Sequence, residues 1–196
     1  EEAMDAQLYY LQTQSQFRNA RAAAAVVLNP KTGEVLAMAS RPTFNPNLFA
    51  GGISSKDWNA LNNNPFYPMN NKAISGQYPP GSTFKIVTGV AALELGKVTP
   101  EEKILDTGKH WLIPKGNAEG EALGWINFNE ALSKSDNVYF YEMGNRLGID
   151  NLEKYARLFG LGDYTGIKLP EEADGLVANQ RYKKKVFKEV WYLSET

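Results

Sequence analysis

Two apolar runs of β character, Ala23–Leu28 and Glu34–Ser40, flank the segment Asn29-Pro30-Lys31-Thr32-Gly33. Pro, Asn and Gly at such a point turn the chain, so the pattern predicts a β-hairpin. Ahead of it, residues 1–19 hold neither Gly nor Pro and are rich in helix formers, which predicts a helix over Glu2–Phe17. The Pro, Asn and Gly content of residues 41–52 reads as loop. SSKDWNALNNN, residues 54–64, reads as a short helix capped by Ser54 or Ser55. Polar loop follows as far as Gly81. An apolar helix is expected from Ser82 to Leu95, with Ile86, Val87, Val90, Ala91 and Leu93 over most of its surface.

Beyond it, residues 97–126 are Gly-rich and show little periodicity. Helices are expected over Asn127–Ser133, over Val138–Leu147, and from a cap at Asp150 to Phe159. YTGIKLPEEADG, residues 164–175, reads as a strand or extended piece, and QRYKKKVFKEVWYL, residues 180–193, as a mixed basic segment. One hairpin followed by many helices suggests an α/β or α+β fold, an antiparallel sheet with helices packed on it. Two strands are too few for a stable sheet. Further strands hide in the loops or lie beyond Thr196, and the second is the expectation here.

Composition adds little. Hydrophobic residues make up 43% and charged residues 22%, as in ordinary globular domains, and 196 residues suffice for one good core. A net charge of −1 favours neither nucleic acid nor an anionic membrane. The absence of Cys excludes disulfides and thiolate metal sites. The longest unbroken apolar run, Ala22–Leu28, is too short to span a bilayer. Both ends of the sequence are abrupt, which suggests a fragment.

The chemistry begins with a lysine. Lys85 lies on the first turn of the apolar helix, where a buried ammonium is costly and its pKa tends to fall. Ser82 stands three residues earlier, and i, i+3 residues share a helix face. A serine alcohol is a weak nucleophile until a base takes its proton, and a desolvated lysine can be that base. The helix N-terminus favours developing negative charge. The plain alternative makes Ser82 an N-cap and Lys85 a snorkelling side chain. Ser-x-x-Lys alone is a weak motif. A second element, Ser135-Asp136-Asn137, follows 53 residues after Ser82, and it too reads as a helix cap in the plain alternative. S-x-x-K paired with S-D-N is a signature of penicillin-binding proteins and serine β-lactamases.

GQYPPGSTFK, SKSDNVYFYEMGNRLGI, NPKTGEVLAMAS and YTGIKLP together resemble the class B penicillin-binding proteins, and RPTFNPNLFAGGISSKDWNAL resembles their rod-elongation branch. The resemblance covers Arg21–Thr196. It implies a penicillin-binding-protein/serine β-lactamase-like transpeptidase fold. Residues 21–196 would form the N-terminal and central part of the transpeptidase domain, and residues 1–20 the end of a linker or the domain's first helix. It implies a D,D-transpeptidase that cross-links peptidoglycan stem peptides through an acyl-serine and is acylated by β-lactams. On this resemblance Ser82 is the nucleophile and Lys85 the general base. Ser135 relays a proton to the leaving group, Asn137 binds the substrate amide and holds Lys85, and Asp136 orients the loop beside the substrate. No cofactor is implied. Partners would be a shape-elongation glycan polymerase and a rod-complex scaffold protein, at the periplasmic face of the bacterial inner membrane, with the full-length protein anchored by a single membrane span.

The family's third motif, Lys-Thr-Gly on a strand, is expected to be missing, because Lys31-Thr32-Gly33 precedes Ser82 and sits in the hairpin turn. The fragment alone is therefore expected to acylate poorly and to expose apolar surface. A serine β-lactamase, with Glu171 or Glu172 activating water, and a non-catalytic β-lactam sensor or scaffold are the alternatives. Glu102, Asp106 and His110 are set aside as metal ligands, His110 reading as a surface residue. Lys183–Lys185 and Lys188 read as a solvated helix face, and Trp58, Trp111, Trp125 and Trp191 as core or loop anchors.

Overall fold

The structure, a computed structural model, describes residues 1–192 and 195–196; the last residue of the basic segment expected over 180–193 thus lies outside the described residues. The chain divides into a hairpin unit, residues 1–77 with 167–173, and a helical unit, residues 78–166 with 174–196.

In the hairpin unit, helix α1 covers Glu2–Thr13, four residues shorter than expected, and buries none of its side chains. Strands β1 (Ala23–Leu28) and β2 (Val35–Arg41) pair antiparallel, from Ala23 opposite Arg41 to Leu28 opposite Val35, with an irregularity at Val27/Leu28. The expected turn closes them. Asn29 Oδ1 accepts the Lys31 N–H at 3.0 Å, and Gly33 takes a φ of +74°, which glycine adopts without strain. Lys31-Thr32-Gly33 is therefore turn backbone. Helix α2 (Ser55–Asn62) is capped by Ser54, whose Oγ accepts the Asp57 N–H at 3.1 Å. One helical turn not expected from the polar loop, α3 (Lys72–Ser75), is fixed to the hairpin because Ser40 Oγ accepts the Lys72 N–H at 3.1 Å. Residues 167–173 form no strand; Ala173 N–H instead donates to the Ile74 carbonyl at 2.9 Å. Among the described residues of this unit only Arg41 and Pro68 are buried.

The helical unit holds the core. A short 3-10 turn, Gly81–Phe84, leads into α4 (Lys85–Glu94). Strands β3 (Ile104–Asp106) and β4 (Gly124–Ile126) pair antiparallel inside the segment expected to be irregular. Next come α5 (Phe128–Ser133), opened by a capping box between Asn127 and Glu130, and α6 (Asn137–Leu147), capped by Asp136. Then α7 (Ile149–Leu158) starts from Gly148, so Asp150 lies inside its first turn rather than capping it. Helix α8 (Gln180–Val186) forms the basic segment, with Asn179 Oδ1 accepting the Tyr182 N–H at 2.7 Å.

One face each of α4, α6 and α7 supplies most of the core. Ala91, Ala92, Tyr139, Met143 and Ala156 are fully enclosed, and Phe128 and Phe140 pack beside them. A Cβ at Gly89 would stand 2.8 Å from Phe128 Cζ, so the glycine permits this close approach of α4 and α5.

Three expectations change here. Lys183 is buried, ion-paired with Glu189 and Glu195 and set over the Tyr192 ring, while Lys184 and Lys185 stay exposed. His110 is buried rather than surface, with Nε2 3.3 Å from Glu142 Oε2. Its Nδ1 accepts the Leu112 N–H, which leaves Nε2 as the protonated nitrogen facing Glu142. Trp58, Trp111 and Trp125 are exposed, which removes the core half of their reading, while Trp111 fits the loop-anchor half, its Nε1 donating to Glu142 Oε2 at 3.0 Å.

Candidate active site

Pro79 and Pro80 stop any helix from extending backwards, and Gly81, at φ +58°, turns the chain into the 3-10 segment that carries Ser82. Ser82 is exposed and does not act as an N-cap. Three residues on, Lys85 opens α4 and is only 9% exposed. Both line one cleft of about 350 Å³, together with Asn137, Phe140 and Tyr141.

The Lys85 ammonium is held by the second motif. Nζ donates to the Ser135 carbonyl oxygen, to Ser135 Oγ at 3.0 Å and to Asn137 Oδ1 at 2.7 Å. It also lies 5.6 Å from the centre of the Phe140 ring. These three contacts use all three protons of an ammonium. Burial pushes the Lys85 pKa below its usual value, and the charge of Asp136 opposes that shift only in part.

Ser135 takes a φ of +55°, uncommon for a residue with a side chain. That left-handed backbone brings both its carbonyl and its hydroxyl to Lys85, a local strain of the kind that collects at functional sites. Asp136 is 2% exposed, does not line the cleft, and caps α6 through Oδ1, which accepts the Tyr139 N–H at 2.6 Å. Burial first, then hydrogen bonding and repulsion from Asp106, raise the Asp136 pKa.

The structure thus brings Lys85, Ser135 and Asn137 into direct contact, and Ser82 lines the same cleft as Lys85 and Asn137. Among the described residues no hydrogen bond joins Ser82 to Lys85. All three lysine donors are already taken by residues 135–137, and such contacts commonly tighten only when substrate binds. One member of the site escaped the sequence reading. Asn117, in the loop between β3 and β4, accepts the Asn137 N–H at 2.8 Å. Its neighbourhood, Lys115-Gly116-Asn117, carries only a turn signal.

Residues 23–189 match the penicillin binding protein transpeptidase domain. The chain belongs to that family. It is 41% identical over 181 residues to the peptidoglycan D,D-transpeptidase MrdA of Escherichia coli K12, a match covering 89% of this chain and 28% of that protein. The structure is similar to penicillin-binding protein 2 of Pseudomonas aeruginosa bound to WCK 5153, with a TM-score of 0.82 and 35% identity over 96% of this chain and 43% of the other. It is also similar to penicillin-binding protein 2 of Helicobacter pylori in complex with MreC, with a TM-score of 0.84 and 32% identity over 95% of this chain and 35% of the other. The chain therefore spans less than half the length of each of these relatives.

Proposed function

We propose that this chain is part of a peptidoglycan D,D-transpeptidase, that Ser82 is its nucleophile, and that Lys85 is the base that activates it. The observation that carries the reading is a buried lysine held by Ser135 and Asn137 in the cleft that also contains Ser82. The serine oxygen attacks the carbonyl carbon between the last two D-alanines of a stem peptide. Neutral Lys85 takes the hydroxyl proton, and the carbonyl becomes an oxyanion that backbone N–H groups, Ser82's among them, stabilise. The C–N bond then breaks. The proton passes from Lys85 through Ser135 to the departing D-alanine nitrogen, and an acyl-serine remains. A neighbouring stem's amine attacks that ester and gives its proton back along the same route, which frees Ser82 and closes a cross-link. Asn137 holds the substrate amide and fixes Lys85, and Asp136 supports the loop from below. A β-lactam acylates the same serine.

Residues 21–196 belong on this reading to the transpeptidase domain, with 1–20 as linker or first helix; the family match over residues 23–189 supports that division. The helicobacter complex supports a rod-complex scaffold protein as partner, and a shape-elongation glycan polymerase fits the same machinery. The reaction belongs at the periplasmic face of the inner membrane, with the anchor outside these residues. No helix among the described residues is long and apolar enough to cross a membrane.

The full-length protein, treated with a fluorescent penicillin and digested, should carry one stable adduct on the peptide containing Ser82, and Ser82→Ala should carry none. Rapid turnover of the penicillin would favour the β-lactamase reading instead. Adduct on a different residue would sink both. Acylation without D-alanine release from a stem-peptide substrate would leave the sensor reading standing.

A further inference from the structure

Both ends of the Asn117 side chain are in use. Oδ1 accepts the N–H of Asn137 at 2.8 Å and of Val138 at 3.4 Å. These are the first two N–H groups of α6, which have no partner inside the helix. Nδ2 donates to Asp106 Oδ2 at 2.8 Å, to the Glu121 carbonyl at 2.9 Å and to Asp136 Oδ2 at 3.2 Å. Asp106 and Asp136 are 1% and 2% exposed. Asp106 is itself fixed, accepting the Gly108 N–H at 2.6 Å and the Leu123 N–H at 2.7 Å.

The backbone beside Asn117 is equally constrained. A Cβ on Gly116 would come within 2.0 Å of the Gly108 carbonyl oxygen, so this approach admits only glycine. The Gly116 carbonyl accepts Asn137 Nδ2 at 3.2 Å. Residues 116 and 117 thus grip Asn137 by its backbone and by its side chain, and the remaining polar atom of that side chain, Oδ1, meets Lys85.

We propose that Asn117 is a positioning residue of the acyl-transfer site: its amide joins the buried carboxyls of Asp106 and Asp136 to the first N–H groups of α6, and so sets where Ser135 and Asn137 meet Lys85. The inference rests on the reading of Ser82 and Lys85 given above. An amide is the group that fits, because it accepts from two N–H groups and donates to two carboxyls at once. A carboxylate at this place would face Asp106 from β3 and Asp136 from the α6 cap, and Asp136 in turn interacts with the charge of Lys85 of α4. It would accept from α6 but repel both acids until it took up a proton, and protonation would restore one donor.

The test uses the full-length protein with Asn117→Ala and Asn117→Asp, a fluorescent penicillin over a concentration range, and hydrogen exchange across residues 135–138. Asn117→Ala should lower the maximal acylation rate by about 10–100-fold, the scale of a misplaced catalytic group, with a smaller change in the half-saturating penicillin concentration. Asn117→Asp should be slow at pH 8 and approach the wild-type rate as the pH falls, so the ratio of the two rates depends on pH. In Asn117→Ala, which removes their acceptor, the Asn137 and Val138 amides should exchange faster at pH 8, while those of residues 87–92 stay protected. A merely structural role would reduce the labelled fraction and leave the rate of the folded fraction and its pH profile alone; that result overturns the proposal. So does unchanged exchange at 137 and 138 in Asn117→Ala, a measurement that decides the matter even if the wild-type protein proves not to react with penicillin and the functional reading fails.

Discussion

Each unit of the molecule buries basic side chains, and two of them, Arg41 in the hairpin unit and Lys85 in the helical unit, are treated in opposite ways. In the hairpin unit Arg41 closes β2 at 8% exposure and meets carboxylates: Nε donates to Asp5 Oδ1 at 2.5 Å and an η-nitrogen to Glu1 Oε2 at 3.1 Å. In the helical unit Lys85 is as deeply buried but meets a carbonyl, a hydroxyl and a carboxamide, none of them charged. The Asp5 and Glu1 hydrogen bonds push the Arg41 pKa up, whereas burial pulls that of Lys85 down. A cation matched by anions serves to join two elements. A cation held by neutral acceptors keeps its place after losing a proton, and that is what a base must do.

The widest separation between the two should come from exchanging their head groups. Lys85→Arg keeps the charge but gives a guanidinium that holds its proton at any working pH, and acylation of the full-length protein should fall by about 10²–10⁴-fold, the usual share of a general base. Arg41→Lys should leave the acylation rate unchanged while exposing α1 to faster hydrogen exchange. Penicillin labelling kinetics on both variants check the pair. Equal losses would mean that the two cations have one kind of role.

Packing separates the units next. Met143 is fully enclosed in the helical core, and Met143→Ala should cost about 2–5 kcal/mol, the range for a core truncation. In the hairpin Val27 is 52% exposed and its neighbour Leu28 53% exposed. Val27→Ala should cost under about 1 kcal/mol, since half of its surface stays in water in this structure. Denaturant unfolding followed by hydrogen exchange, unit by unit, reads both. A large loss from Val27→Ala would show that the face of β1 is covered when the full-length protein folds.

These contrasts also show what was legible in the sequence. The hairpin, α2, α5 and α6 were legible to within a residue or two because their signals are local: a Pro-Asn-Gly turn, Ser54, the Asn127–Glu130 box, the Asp136 cap. The Ser82–Lys85 and Ser135–Asn137 pairs were legible as a spacing, and the resemblance added the hold of Asn137 on Lys85; the two hydrogen bonds from Lys85 to Ser135 were not foreseen. Strands β3 and β4 were missed because three residues are too few to show alternation, and their pairing spans a Gly-rich loop. His110 and Lys183 read as surface because the carboxylates that justify burying them, Glu142 and Glu195, lie 32 and 12 residues further along. Asn117 drew no reading within the irregular segment 97–126 for the same reason: its role depends on Asp106, Asp136 and Asn137, which the chain brings to it only after folding.

The smallest effect to be expected separates the units by the sign of their pH dependence. In the hairpin unit the Arg41 hydrogen bond holds the Asp5 carboxyl below its ordinary range. A depressed carboxyl contributes stability that is present above the unfolded pKa and is lost as pH falls through the folded one. The hold of β2 on α1 should therefore weaken only in acid below the usual carboxylate range. At the start of α6 the sign reverses. Burial raises the Asp136 pKa, so its contribution is fully present below the ordinary carboxylate pKa and is lost as pH rises through the raised value. Lys85 softens this loss by favouring the Asp136 anion, and Asp106 deepens it. Hydrogen exchange corrected for the intrinsic pH dependence of the amides should show α1 losing protection towards acid, while residues 136–139 lose protection from mildly acidic pH upward. Parallel pH profiles in the two segments would mean that Asp136 ionises as freely as a surface acid, and that the buried carboxyls beneath the 135–137 segment do not share the field that their burial implies.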